Sequence, residues 1–120
     1  MLAQIRSGKY GGIFTVGWTG DNGDPDNFLY ELFGTAKIPV TNTPRYKNPE
    51  ADKILLEAQK EPNHDKRVAL YAQAQKIILD DAPWIFVNSV LQVRAVRKEV
   101  KGYVLNPTQM FFDMEKVSLE

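Results

Sequence analysis

Apolar residues along the chain form two short runs that are typical of strands buried on both faces. Residues 13–18 and residues 84–87 are rich in β-branched and aromatic types, and turn-forming residues bound each run. We expect a third strand at residues 91–96 and a last, half-buried strand where Val117 and Leu119 alternate with polar residues. The predicted strands therefore lie on both sides of a long central region.

In that central region the apolar spacing changes to the helical period. The spacing predicts helices at residues 1–7, 25–33, 49–60 and 64–80. Three of these helices begin after a side chain that can accept hydrogen bonds from the first backbone N–H groups, namely Asp24, Asn48 and Asn63. The last helix has an apolar arc so wide that we expect it to pack against more than one neighbour.

The order of the elements, β-α-α-α-β-β-β after the first short helix, indicates an α/β fold. Three helices give too little cover for a sheet that is buried on both faces. Either the sheet is small or part of its cover is missing.

Composition and charge are those of an ordinary globular domain. The chain has 120 residues, of which 43% are hydrophobic and 25% are charged. Its 15 basic and 15 acidic residues cancel, so no net field favours nucleic acid or an anionic membrane. The absence of cysteine excludes disulfides and thiolate metal sites, and no apolar run approaches a membrane span. We also expect no export signal at the start of this chain, because an apolar signal core is lacking.

Residues 13–28 are the stretch whose pattern suggests chemistry. Asp24 is a helix cap, and Asp26 lies in the first turn, where the helix dipole favours a negative charge. Asp21 has no such structural role, and it follows a predicted strand at the end where open α/β sheets present ligand-binding groups. From the residues alone, Asp21 can equally be a turn residue that hydrogen-bonds to its own backbone.

Two further interpretations of this stretch are open. Asp21, Asn22, Asp24 and Asp26 could form a calcium loop, although the EF-hand spacing and its later glutamate are absent. Trp18, at the end of the predicted strand, could be an ordinary core residue.

An enzyme is the alternative function that these residues suggest. A small α/β hydrolase would use Asp21 with Asp24 or His64, but no Ser, Cys or Lys lies in a recognisable nucleophile setting. His64 is the single histidine and is more simply explained as a solvent-facing residue at a helix start. The basic residues between Arg94 and Lys101 are interpreted as a solvated edge that discourages strand pairing.

One motif is long enough to suggest a family. It is Gly17-Trp18-Thr19-Gly20-Asp21-Asn22-Gly23-Asp24-Pro25-Asp26-Asn27-Phe28, and the similarity continues in order through residues 64–68, 71–75, 81–83 and 96–104. With these motifs the chain resembles the solute-binding proteins of peptide-importing ABC transporters, the dipeptide- and oligopeptide-binding group.

The resemblance implies a two-lobed periplasmic-binding-protein-like fold of type II, in which the lobes close over a peptide. Members are several times longer than this chain. Residues 1–120 are therefore expected to be a single domain, a fragment of one lobe from the C-terminal portion of such a protein.

The resemblance also implies the ligand-binding residues. In the family, the carboxylate three residues after the tryptophan binds the free α-amino group of the peptide, and that position here is Asp21. Trp18 would be an aromatic wall beside the ammonium group, and the backbone of Thr19 and Gly20 would pair with the peptide main chain. No metal, cofactor or catalytic residue is implied.

The implied partners are a short peptide and the membrane permease of an ABC transporter, on the periplasmic or extracellular side of the membrane. Glutathione-like and metal-chelate ligands stay open as alternatives to peptides. We expect the 120-residue chain alone to bind peptide weakly, because half of the enclosure is missing, and to self-associate through exposed sheet edges.

Overall fold

The helices lie where the apolar spacing predicts them. The computed structural model describes residues 2–20, 22–106, 108 and 114–120. The helices among these residues are α1 (Leu2–Ser7), α2 (Asp26–Phe33), α3 (Pro49–Lys60) and α4 (His64–Asp81), with a short 3₁₀ helix at Thr35–Lys37. All four predicted helices are confirmed, with bounds that differ by about one residue.

Asparagine side chains start the two longest helices, as predicted. The side-chain oxygen of Asn48 accepts hydrogen bonds from the backbone N–H groups of Glu50 at 2.9 Å and Ala51 at 3.2 Å. The oxygen of Asn63 accepts one from the N–H of Lys66 at 3.0 Å. These bonds satisfy donors that would otherwise have no partner in the first turn, so they fix where α3 and α4 begin.

The core is an antiparallel pair of helices, α3 and α4, with α2 packed across both. One cluster of buried residues joins α3 to α4 and consists of Ile54, Leu55, Ala58, Tyr71 and Ala74. A second cluster brings in α2 and consists of Leu32, Phe33, Ala51 and Ile78. The expectation that α4 packs against more than one neighbour is therefore confirmed, although Val68 and Leu79 on its outer side are 51% and 47% exposed.

A buried asparagine organises the connection between α2 and α3, a segment that the sequence predicts only as an irregular loop. The side-chain nitrogen of Asn42 donates to the carbonyls of Gly34 at 3.0 Å and Tyr46 at 2.9 Å, and its oxygen accepts from the N–H of Tyr46 at 3.0 Å. Asn42 is fully buried. Its amide thus replaces the backbone hydrogen bonds that an irregular segment lacks.

The sheet is much smaller than predicted. Within the described part of the chain it consists of β1 (Val100–Lys101) and β2 (Ser118–Leu119), which pair antiparallel. Gly102 follows β1 with a φ of +72° and passes so close to the backbone of Lys116 that a Cβ would overlap it. The predicted C-terminal strand is confirmed, but Leu119 is 80% exposed, so the expectation that it is half-buried is wrong.

The three predicted strands at residues 13–18, 84–87 and 91–96 are absent from the structure. Each segment lies outside any helix or strand. Ile13 is 92% exposed and Ile85 is 87% exposed, so the runs at 13–18 and 84–87 are not buried on both faces as predicted. Leu91, in the third segment, is 84% exposed. The physical reason is that a strand needs a neighbouring strand, and the described sheet contains only β1 and β2.

Only the aromatic residues of the run at 84–87 contact the core. The rings of Trp84 and Phe86 lie 5.2 Å and 6.1 Å from the ring of Phe33 in α2, centre to centre. Ile85 and Val87, between and beyond them, are 87% and 82% exposed. The described fold is therefore a helical unit with one small sheet and two long segments that pack against it in part.

Candidate functional site

Trp18 is attached to the start of α2 by its polar end. The indole N–H donates to the backbone carbonyl of Asn27 at 2.8 Å and to the side-chain oxygen of Asn27 at 3.0 Å. The residue is 38% exposed, so it is not the ordinary core residue of the alternative interpretation. One end of the indole is held in place while part of the ring stays open to solvent.

Thr19 and Gly20 have different environments, although both are predicted to offer backbone groups to a peptide. Thr19 is exposed, whereas Gly20 is buried. A Cβ on Gly20 would overlap the ring of Phe28, with the Cζ atom at 2.8 Å, so only glycine allows this contact. No backbone–backbone hydrogen bond between described residues involves residues 13–20, so the N–H and C=O of Thr19 have no backbone partner among the described residues.

Asp21, the predicted partner of the peptide amine, lies outside the described residues. Its role stays a prediction. The turn that follows it is described: the side-chain oxygen of Asn22 accepts a hydrogen bond from the N–H of Asp24 at 2.9 Å, and Gly23 has a φ of +72°. This Asx-type turn leads directly into α2.

Asp24 has the predicted capping role and a second one that was not predicted. One of its oxygens accepts a hydrogen bond from the N–H of Asp26 at 2.9 Å. Arg67 on α4 binds both carboxylate oxygens, each at 2.8 Å, in a bidentate ion pair. The hydrogen bonds from Arg67 hold the pKa of the Asp24 carboxyl below its ordinary value, although partial burial acts in the other direction.

A network of polar side chains surrounds this ion pair. Arg67 also donates to the carbonyl of Ala58 at 3.1 Å and to the hydroxyl of Tyr71 at 3.1 Å. The hydroxyl of Tyr71 donates to Asp26 at 3.2 Å, and Gln59 donates to the same carboxylate oxygen at 2.9 Å. Burial first, and then the charge of Asp26, raise the pKa of Tyr71 to about 12. The network joins the loop before α2 to the ends of α3 and α4.

Arg67 is the residue near the site that sequence reasoning missed. The only available signal is its spacing, because Arg67 and Tyr71 are four residues apart and therefore neighbours on one helix face. No local pattern relates them to Asp24, which lies 43 residues away in the chain. Tyr71 is confirmed as a core residue, with a hydroxyl group that reaches the network.

The described residues give little support to the calcium and hydrolase alternatives. Asp24 and Asp26 are engaged by Arg67, Tyr71 and Gln59. No group of three or more His, Asp or Glu residues in the described part of the chain could hold a metal ion. The His64 side chain is 88% exposed, as expected for a helix start, and contacts the adjacent Asp65 at 3.2 Å.

Within the described part of the candidate site, two residues are open to solvent: Thr19 is exposed and Trp18 is 38% exposed. Two surface depressions lie elsewhere, one along the outer face of α3 near Leu56 and one beside β1 near Glu99. Neither is lined by Trp18, Thr19 or Gly20. A ligand at these residues would therefore need further walls to be enclosed.

Comparison of the sequence with curated proteins gives clear relatives. The chain is 47% identical to heme-binding protein A of Haemophilus influenzae over 96 residues, which are 80% of the chain and 17% of that protein. It is 38% identical to the dipeptide-binding protein of Escherichia coli over 120 residues, which are 99% of the chain and 22% of that protein. No protein-family model matches the chain.

Comparison with solved structures agrees. The structure of HbpA2 from Haemophilus parasuis matches 98% of the chain with a TM-score of 0.73 and 31% identity. The ABC transporter-associated periplasmic binding protein DppA from Helicobacter pylori, in complex with the peptide STSA, matches 88% of the chain with a TM-score of 0.63 and 31% identity. These matches cover 23% and 21% of the two solved chains.

Two expectations from the sequence are confirmed by these comparisons. The chain spans about a fifth of the length of the curated relatives that it matches, as expected for a fragment of a periplasmic-binding-protein-like fold. The relatives are named as binding proteins, in agreement with the expectation of a binding module. The hydrolase alternative is therefore not supported by any of these relatives.

Proposed function

Because nearly the whole chain belongs to the solute-binding proteins of peptide ABC transporters, we propose that it supplies part of a binding site for short peptides. The observation that carries the proposal is the similarity to a dipeptide-binding protein along 99% of the chain. The structural similarity to a periplasmic binding protein that was solved with a peptide supports it further.

In the proposed mechanism, Asp21 pairs with the free α-amino group of the peptide. An ammonium group that leaves water needs an anion, and a charge-assisted hydrogen bond of this kind contributes about 1.5–3 kcal/mol. Trp18 supports this role, because its indole is fixed at Asn27 while 38% of the residue stays exposed beside the loop. Thr19, whose backbone groups have no backbone partner among the described residues, would pair with the peptide main chain.

Gly20 has a different role in this proposal from the one that the resemblance implies. Its burial under Phe28 makes it a packing residue that brings the loop close to α2. Main-chain recognition then rests chiefly on Thr19. Because backbone groups recognise a peptide whatever its side chains, this arrangement suits a receptor for peptides of varied sequence.

The complete protein would act in the periplasm and deliver its peptide to a membrane permease. The similarity to a protein of Helicobacter pylori described as ABC transporter-associated and periplasmic supports this location and this partner. Among the described residues, no helix has the length and apolar character to cross a bilayer. The equal numbers of acidic and basic residues give the chain no net positive charge that would attract nucleic acid.

The experiment that tests amine recognition compares a short peptide with its N-acetylated form, by calorimetry on the complete protein that contains this segment. Acetylation removes the cation and leaves the carboxylate of Asp21 unpaired, so we expect it to cost about 2–5 kcal/mol. Asp21→Asn should weaken binding of the free peptide to the level of the acetylated one. Asp80→Asn, at an exposed position of α4, is the matched control and should leave the affinity unchanged. Equal affinity for both peptides would refute the role of Asp21.

Heme is a second candidate ligand, because the relative with 47% identity is named a heme-binding protein. A titration of the complete protein with heme, followed by absorbance, separates the two candidates. Binding of peptide without binding of heme supports the proposal above. Binding of heme alone would replace it, and His64→Ala would then test whether the only histidine of the chain is an iron ligand.

A further inference from the structure

The guanidinium group of Arg67 connects three separate parts of the chain. It binds both carboxylate oxygens of Asp24 in the loop before α2. It donates to the carbonyl of Ala58 near the end of α3, and it lies 5.0 Å from the ring centre of Tyr71 on its own helix. The side chains of Arg67 and Asp24 are 29% and 28% exposed, so solvent competes only in part with these contacts.

The loop that Asp24 terminates is attached to α2 at both of its ends. At one end, Trp18 donates its indole N–H to Asn27 in the first turn of α2. At the other end, the side chain of Asn22 accepts the N–H of Asp24, and Asp24 caps the helix. Gly20, between these points, lies against Phe28. The positions of Trp18, Gly20 and Asp24 therefore depend on α2 and on the guanidinium group of Arg67, which binds Asp24.

We propose that Arg67 is a positioning residue for the peptide-binding loop: by binding both oxygens of Asp24, it sets the place of residues 18–20 and 22–24 relative to α3 and α4 without contacting the ligand. The ligand part of this inference rests on the function proposed above. The planar guanidinium fixes two carboxylate oxygens at once, whereas an ammonium group would fix only one point. Loss of Arg67 leaves Asp24 as a capping residue but releases the loop from α4.

The first test needs no ligand and uses the 120-residue chain itself. In a Trp84→Phe background, Trp18 is the only tryptophan, and its quenching by acrylamide measures how open the loop is. Arg67→Met should raise the quenching constant towards the value in urea, while the helix content from circular dichroism stays unchanged. Lys66→Met, at the exposed neighbouring position of α4, is the matched control and should have no effect.

Asp24→Asn provides an independent route to the same result from the loop side. If the two residues act as one unit, the double variant Asp24→Asn/Arg67→Met should quench no more than either single variant. Arg67→Lys keeps the charge but cannot bind two carboxylate oxygens at once, so its quenching constant should lie between those of wild type and Arg67→Met. Additive effects of the two changes would overturn the proposal, and so would wild-type quenching in both single variants.

The second test measures peptide affinity in the complete protein. Arg67→Met should weaken binding by roughly 2- to 30-fold, the range for residues that act through others, and Lys66→Met should not change it. Suppose that wild type binds free and acetylated peptide equally well, but Arg67→Met still exposes Trp18. The proposal of amine recognition is then wrong, and the positioning role of Arg67 is supported. If wild type prefers the free amine, and Arg67→Met changes neither the quenching nor the affinity, only the positioning role fails.

Discussion

The hydroxyl of Tyr46 donates a 2.6 Å hydrogen bond to the carboxylate of Asp81, which joins the segment before α3 to the last residue of α4. Asn48, the cap of α3, donates to the same oxygen at 2.7 Å. Asp81 therefore ties the beginning of one helix to the end of the next. The two hydrogen bonds lower the pKa of Asp81, and the one from Tyr46 is the larger cause.

Tyr46→Phe should raise the pKa of Asp81 towards the ordinary value for aspartate and lower the stability of the chain at neutral pH. A carboxyl whose pKa is lowered by folding stabilises the fold above its unfolded pKa of about 3.9, and this contribution is lost as pH falls through the folded pKa. The variant should therefore lose stability relative to wild type at neutral pH, and the difference should shrink in acid. Titration of Asp81 by NMR, together with urea unfolding at several pH values, measures both effects. An unchanged Asp81 titration would contradict the prediction.

Leu55 and Leu56 are neighbours with opposite environments and form a matched pair for testing the core. Leu55 is fully buried between α3 and α4, whereas Leu56 is 42% exposed. Leu55→Ala should lower the free energy of unfolding by about 2–5 kcal/mol, because it removes apolar contacts and leaves a cavity. Leu56→Ala should cost no more than about 1 kcal/mol. Urea unfolding followed by circular dichroism gives both values, and equal losses would contradict the packing of Leu55 between α3 and α4.

Ala82 ends α4 in a left-handed conformation that alanine adopts poorly. Its φ and ψ are 47° and 50°, and its N–H bonds to the carbonyls of Ile78 at 3.1 Å and Leu79 at 3.2 Å. Ala82→Gly should stabilise the chain by about 0.5–1 kcal/mol, because relief of the steric penalty exceeds the added flexibility of the unfolded state. The control is Ala72→Gly at an exposed position within α4, which should destabilise by about 1 kcal/mol. A loss of stability in Ala82→Gly would contradict the assigned end of the helix.

The parts of the fold that sequence predicts well are those with local causes. Asn48 and Asn63 mark helix starts because their side chains bond to N–H groups two or three residues away. The helical period finds α4 because its buried positions, such as Tyr71 and Ala74, follow the spacing of one helix face. Neither inference needs knowledge of distant residues.

The parts that sequence does not predict depend on distant partners. Residues 84–87 have the composition of a strand, but pairing requires a second segment, and composition contains no information about whether one is present. The contact of Arg67 with Asp24 joins positions 43 residues apart, and nothing local indicates it. For the same reason, the sequence predicts which loop residues form the candidate site. The structure is needed to show that Arg67 and Asn27 hold that loop in place.

The exposed apolar segment at residues 84–96 leads to the last prediction, which is that the 120-residue chain self-associates. Ile85 and Leu91 are 87% and 84% exposed, and the described sheet contains neither. Two copies aligned antiparallel about Ser89 would place Ile85 opposite Val93 and Val87 opposite Leu91, so that apolar residues face one another on one side of a two-stranded ladder.

Sedimentation velocity should therefore give a mass that rises with concentration above that of the 13.6 kDa monomer. The double variant Ile85→Lys/Leu91→Lys should remain a monomer, because the register places a charge opposite an apolar residue at each of these positions. Leu79→Lys, at a 47% exposed position on the outer side of α4, is the control and should associate like wild type. A monomer at every concentration in wild type would contradict the prediction. Association that the double lysine variant retains would show that a different surface is responsible.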